Sequence, residues 1–145
     1  MNATLQLTHL VATAFMTGVI LVVHFNLYPL FADVRSESFT GCMRRHQFAI
    51  TWIVFPAMLA ELLCSLALAR EERSASSLAA AGLTCGIWII TAARSAPAHG
   101  RLLRGFDPAA FRSLMRWNGV RVLFWVAKLA ILLSQGSIAN PTSTS

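Results

Sequence analysis

The chain has 145 residues, 56% of them apolar and 12% charged, with a formal net charge of +6 and a mean hydropathy of +0.60. This composition describes an integral membrane protein of one domain, residues 1–145, and excludes a separate soluble domain. A pI near 10.6 would suit nucleic acid, but eleven of the twelve basic residues are arginines placed mainly beside apolar segments, which favours a topology signal over nucleic-acid binding.

At about 20 apolar residues per crossing, the length accommodates four spans with short connections. The first, about 5–30, has no Lys or Arg before it and no small-residue cleavage site after a short core, so it reads as a retained span and not a signal peptide. The second, 48–69, carries a single charge, Glu61, near its middle. A carboxylate facing lipid there costs about 3 kcal/mol, so it should face other helices and find a partner. Pro56, one turn earlier, removes a backbone bond and invites a kink. The third span is 77–97 and the fourth 117–134; residues 136–145, with Pro141, read as a disordered tail.

The connections carry the positive charge. Arg35, Arg44 and Arg45 lie in 31–47, and Arg101, Arg104, Arg112 and Arg116 in 98–118, so both segments are expected to be cytoplasmic. The N-terminus and tail have no basic residue and Arg70-Glu71-Glu72-Arg73 is balanced, which puts both termini outside, in a bacterial inner membrane. Asp107-Pro108 reads as a helix start, with Asp as N-cap and Pro in the first turn. Phe111, Leu114 and Met115 then share a face, the pattern of a short helix at headgroup level. Thr40-Gly41 reads as the start of a helix running through His46 into the second span.

Placed at about 100° per residue, the polar residues of each span fall on one face. They are His9, Thr13, Thr17, His24 and Tyr28 in span one; His46, Glu61 and Cys64, beside Ile50, Ile53 and Ala57, in span two; Thr84, Trp88, Thr91, Ser95 and His99 in span three; and Asn118, Arg121, Trp125 and Lys128 in span four. The expected fold is all-α, an up-down four-helix membrane bundle with these polar stripes inward. In antiparallel spans Glu61 and Lys128 come to nearly one depth, a mismatch of about 5 Å at 1.5 Å per residue, and are expected to form a buried ion pair. A proton-transfer role for Glu61 is the alternative.

Nearer the arginine-rich face, His24, Tyr28, His46, His99, Asn118 and Arg121 converge on one expected chamber. His46, His99, Arg121 and Asn118 are the catalytic candidates, with His24, Tyr28, Trp88 and Trp117 lining a substrate pocket. Histidines on three helices also suit a metal or a haem iron held by two imidazoles, which leaves the cofactor open between none and haem. His9, at the other end, reads as an interfacial residue. Cys42, Cys64 and Cys85 form no disulfide framework, and Gly82 and Gly86 make a small-xxx-small pair suited to close helix approach within the bundle. The expected partners are the lipid bilayer and a hydrophobic small molecule; the oligomeric state is left open.

Tyr28-Pro29-Leu30-Phe31, Arg44-Arg45-His46, Pro56 with Met58-Leu59-Ala60-Glu61, Ser95-Ala96-Pro97-Ala98-His99 with Leu102 and Leu103, and Trp117-Asn118-Gly119-Val120-Arg121 carry a resemblance. Together they resemble small bacterial four-helix membrane proteins distantly related to the anthrone-oxygenase-like family, which usually has Asn where His99 stands. The resemblance implies oxidation of a polycyclic aromatic or quinol-like substrate at the membrane, without a required metal. In size, helix count and the run of His9, Gly18 and Tyr28-Pro29, the chain is also similar to the bacterial haem-binding protoporphyrinogen oxidase, which implies haem. Against both stands a non-catalytic membrane subunit or small-molecule carrier, held together by Glu61 and Lys128.

Overall fold

A computed structural model describes residues 3–138, and its regular structure is entirely helical. Four long helices follow one another: α1 (Ala3–Ala32), α2 (Ser36–Glu72), α3 (Ala75–Leu102) and α4 (Pro108–Ile138). All four are long and apolar enough to cross a bilayer. The 37 residues of α2 span about 55 Å at 1.5 Å per residue, well beyond the hydrocarbon layer, so its ends reach past the lipid tails.

Two of the helix starts are capped by a side chain. Asp107 caps α4, its Oδ1 accepting from the backbone N–H of Ala109 at 2.8 Å and of Ala110 at 3.1 Å. Ser74 caps α3 by accepting from the N–H of Ser77 at 3.1 Å, directly after Arg73 closes α2 in the left-handed conformation (φ 50°). This two-residue turn folds α3 back onto α2.

Helix α1 packs on α2 and α4, and α3 packs on the same two helices. The early part of α1 meets the late part of α2, as His9 reaches Ser65, and the end of α1 meets the early part of α2, as Tyr28 reaches His46. Two apolar clusters fill the interior. One holds Tyr28, Phe31, Phe39, Met43, Leu102 and Leu114; the other holds Met16, Ile20, Met58, Ile87, Val122 and Trp125. The outside is apolar too: Phe25, Phe48 and Trp52 are each about 70% exposed, and the buried set includes His9, Glu61, Asn118, Arg121 and Lys128.

Several expectations are corrected. Residues 108–116 are no separate headgroup-level helix: α4 is continuous from Pro108, Leu114 is fully buried, and Phe111 and Met115 pack against the first apolar cluster. The face of Phe111, Leu114 and Met115 is the core face, because the α3–α4 connection is only residues 103–107 and brings α4 straight back onto α3. Helix α2 starts at Ser36, before Thr40-Gly41, and runs unbroken through Pro56. Ile53 is half exposed and does not share the burial of Glu61 and Cys64. The first residues of the expected disordered tail, 136–145, belong to α4, which continues to Ile138; residues 139–145 lie outside the described residues.

Two features were not legible as stripes. Both α1 and α3 contain a π turn, Val23–Leu27 and Thr91–Ser95, each closed by an i to i−5 bond, Tyr28 N–H to Val23 O and Ala96 N–H to Thr91 O. In each case a proline follows at once, Pro29 and Pro97. A proline ring cannot donate to the carbonyl four residues back and collides with it, and widening that turn by one residue removes the conflict.

Candidate functional site

The π turns set the geometry of the arginine-rich end. One extra residue in a turn rotates everything beyond it by about 100° relative to an unbroken helix. With that rotation Tyr28 and His99, one on each distorted helix, face each other: the Tyr28 hydroxyl lies 3.1 Å from His99 Nε2. His46 completes the group from α2, its ring centroid 6.1 Å from Tyr28 and 6.2 Å from His99. Phe31 packs on His46 at 5.1 Å.

Helix α4 contributes the second half. Asn118 Nδ2 is 3.3 Å from His24 Nδ1, and Asn118 Oδ1 accepts from Arg121 Nη1 at 3.3 Å. Gly119 lies beside this contact: a Cβ there would stand 3.5 Å from the His24 ring, an ordinary van der Waals distance. The Arg121 guanidinium lies over the Trp125 ring at 5.1 Å and within electrostatic reach of Tyr28 and His99. Arg121 is buried and has no carboxylate partner among the described residues. Four polar atoms here are buried without a hydrogen-bond partner: His46 Nε2, His99 Nδ1, Ser95 Oγ and Arg121 Nε. Such orphans require an explanation, and a bound polar molecule is one.

One level higher sits the ion pair. Lys128 Nζ is 2.6 Å from Glu61 Oε1, and both side chains are shielded from solvent. The Trp125 indole N–H donates to both carboxylate oxygens at 3.0 and 3.1 Å, and Lys128 donates to Thr84 Oγ1 at 3.0 Å. Thr84 meets Ser65 at 2.9 Å, and Ser65 meets His9 Nε2 at 2.8 Å. A charge pair at this depth holds only if its remaining hydrogen-bonding capacity is met, which Trp125 and Thr84 do.

His9 is corrected by this arrangement: it is 1% exposed, not interfacial. It and Ser65 line a cavity of about 570 Å³ at the end of the molecule where α1 and α3 begin and α2 and α4 finish. That cavity lies at the opposite end from the expected chamber. Its mouth carries a hydrogen bond from Gln6 Nε2 to Glu72 Oε1 at 2.8 Å.

Of the residues singled out in the sequence, His24, Tyr28, His46, His99, Asn118 and Arg121 are brought to one end, and Glu61 and Lys128 into contact. Trp88 packs on Phe55 at 6.1 Å and on the second apolar cluster, and the Trp117 ring meets the guanidinium groups of Arg94 (5.2 Å) and Arg116 (5.4 Å). Gly86 permits the α3–α4 contact, since a Cβ there would come within 2.7 Å of Phe124, whereas Gly82 faces open space. The cysteines are all free.

The His99 Nε2 that a haem iron would need is engaged by the Tyr28 hydroxyl, and the His46 ring lies beside both, its centroid 6.2 Å from that of His99. No group of three or more His, Cys, Asp or Glu among the described residues is placed to hold a metal ion. No family profile, curated protein or solved structure matches the chain.

Proposed function

We propose that the protein is a multi-pass protein of a bacterial inner membrane, an up-down bundle with inward polar stripes and both termini outside, that binds a hydrophobic aromatic or quinol-like molecule through an acidic hydroxyl and oxidises it. The observation that carries this reading is Arg121. A guanidinium buried among apolar helices without a carboxylate partner is costly, and in a membrane protein it marks a functional site by default. A phenolate or enolate is the charge that balances it.

Asn118, Tyr28, His46 and His99 beside Arg121 supply the rest of the chemistry. His46 or His99, each with an orphaned ring nitrogen, takes the hydroxyl proton, and Arg121 with Asn118 holds the resulting oxyanion. A quinol held in this way passes two electrons and two protons to dioxygen, leaving as the quinone while dioxygen leaves as hydrogen peroxide. The buried polar residues on all four helices and the exposed Phe and Trp side chains support the bundle, and the arginines of the two connections support its orientation.

The test is oxygen uptake by proteoliposomes supplied with polycyclic phenols and quinols, combined with unfolding in detergent. Arg121→Gln is expected to lower turnover by about tenfold or more while leaving stability equal or raised, since it removes an uncompensated charge. Wild-type turnover in both His46→Ala and His99→Ala sinks the catalytic reading. The rival, a carrier or structural subunit, draws on the Glu61–Lys128 pair, whose bonds are all internal; it expects binding without oxygen uptake and replaceable histidines.

A further inference from the structure

The cavity at the other end reaches His9 and Ser65, from which hydrogen bonds continue to the ion pair, and counting hydrogens along the way assigns a direction to each link. Thr84 Oγ1 donates its single hydrogen to Ala80 O at 2.9 Å and accepts from Lys128 Nζ. Its remaining capacity is one lone pair, so Ser65 is the donor in the 2.9 Å contact between the two hydroxyls. Ser65 has then spent its hydrogen, and in the 2.8 Å contact with His9 it accepts from Nε2–H. His9 is left with Nδ1 as a bare acceptor, buried and without a partner. His9, Ser65, Thr84, Lys128 and Glu61 thus form one continuous hydrogen-bond chain, in which His9 donates to Ser65, Ser65 and Lys128 both donate into Thr84, and Lys128 also meets Glu61; all its members are buried, and its open end is on the side chain that lines the cavity.

We propose that this wire carries protons between the cavity and the intramembrane Glu61–Lys128 pair, so that the pair exchanges protons with solvent at the end of the bundle remote from Arg121. The inference is independent of the oxidase reading. Lys128 first yields one proton to Glu61, and the freed lone pair of its Nζ turns to Thr84; the Thr84 hydroxyl swings from Ala80 O to give its hydrogen to Lys128 and takes one from Ser65, Ser65 takes the Nε2 hydrogen of His9, and His9 takes a proton at Nδ1. One proton enters and one carboxylate is neutralised. Ser65, Thr84 and Lys128 each end with the number of hydrogens they began with, and His9 ends as the other neutral tautomer. The charged and titratable groups around the pair are His9 on α1, Cys64 on α2 and Lys128 itself on α4; from α3 the pair meets only the neutral Thr84.

Lys128 is the only lysine in the chain, so a single side-chain nitrogen reports on the wire. In protein labelled with nitrogen-15 lysine and reconstituted in lipid, the Lys128 Nζ isotope shift follows its exchange after transfer to heavy water. Ser65→Ala cuts two links without touching the ion pair and is expected to slow exchange by about tenfold or more, with Ser65→Thr restoring it. His9→Phe, which cuts the wire at its mouth, gives the same reading should Ser65→Ala not fold. Unchanged exchange in Ser65→Ala or His9→Phe overturns the proposal, because protons then arrive another way. So does a wild-type Lys128 that does not exchange at all, since the pair is then closed to the cavity.

Discussion

Three buried charges define this molecule, and they stand in different situations. Glu61 and Lys128 satisfy each other, with Trp125 and Thr84 taking up what is left. Arg121, one turn before Trp125 on the same helix, has only an amide oxygen and an aromatic face. The difference has opposite consequences for substitution. Glu61→Gln or Lys128→Met strands a partner charge away from water and is expected to cost about 3–5 kcal/mol in detergent unfolding, while replacing both with apolar residues of similar volume costs much less. A double-mutant cycle measures this directly; negligible coupling between the positions shows that the contact contributes nothing.

At the scale of the helix, the paired π turns explain how residues on two regular-looking spans come to face one another. Pro29 and Pro97 each follow the widened turn whose carbonyl they would otherwise strike, at Phe25 and Ala93. Replacing Pro29 with Ala permits the turn to tighten to the ordinary helix and rotates Tyr28 by about 100° away from His99. The expected result is a changed His99 signal in nitrogen-15 histidine spectra with helix content by circular dichroism held constant. An unchanged signal shows that packing of Tyr28 against Phe31 and His46, not the proline, sets the turn.

For the whole molecule, the polar core has two ends of different character. One holds Arg121 and three histidines; the other opens through a cavity edged by Glu72 and Gln6. Which end faces the cytoplasm is testable with the native thiols, because Cys42 is exposed at the arginine-rich end, Cys64 is buried and Cys85 is half-buried. In right-side-out vesicles a membrane-impermeant maleimide is expected to label Cys42 only after permeabilisation. Labelling of Cys42 in intact vesicles reverses the orientation.

Four helices, their approximate cores and the need of Glu61 for a partner on another span were legible in the sequence. Each rests on local quantities: bilayer thickness, 3.6-residue periodicity and the cost of a charge in hydrocarbon. The depth arithmetic that set Lys128 opposite Glu61 works because long antiparallel helices keep a constant rise. Helical periodicity placed Phe111, Leu114 and Met115 on one face but not what covered it; the five-residue connection to α3 decided that. The π turns escaped a fixed angle of 100° per residue, although Pro29 and Pro97 were the available signal. The burial of His9, the cavity beside it, the absence of a carboxylate partner for Arg121 among the described residues and the direction of each hydrogen bond were decided by tertiary structure alone. They depend on which atoms of four helices meet at one depth, and no periodicity within a single helix encodes that.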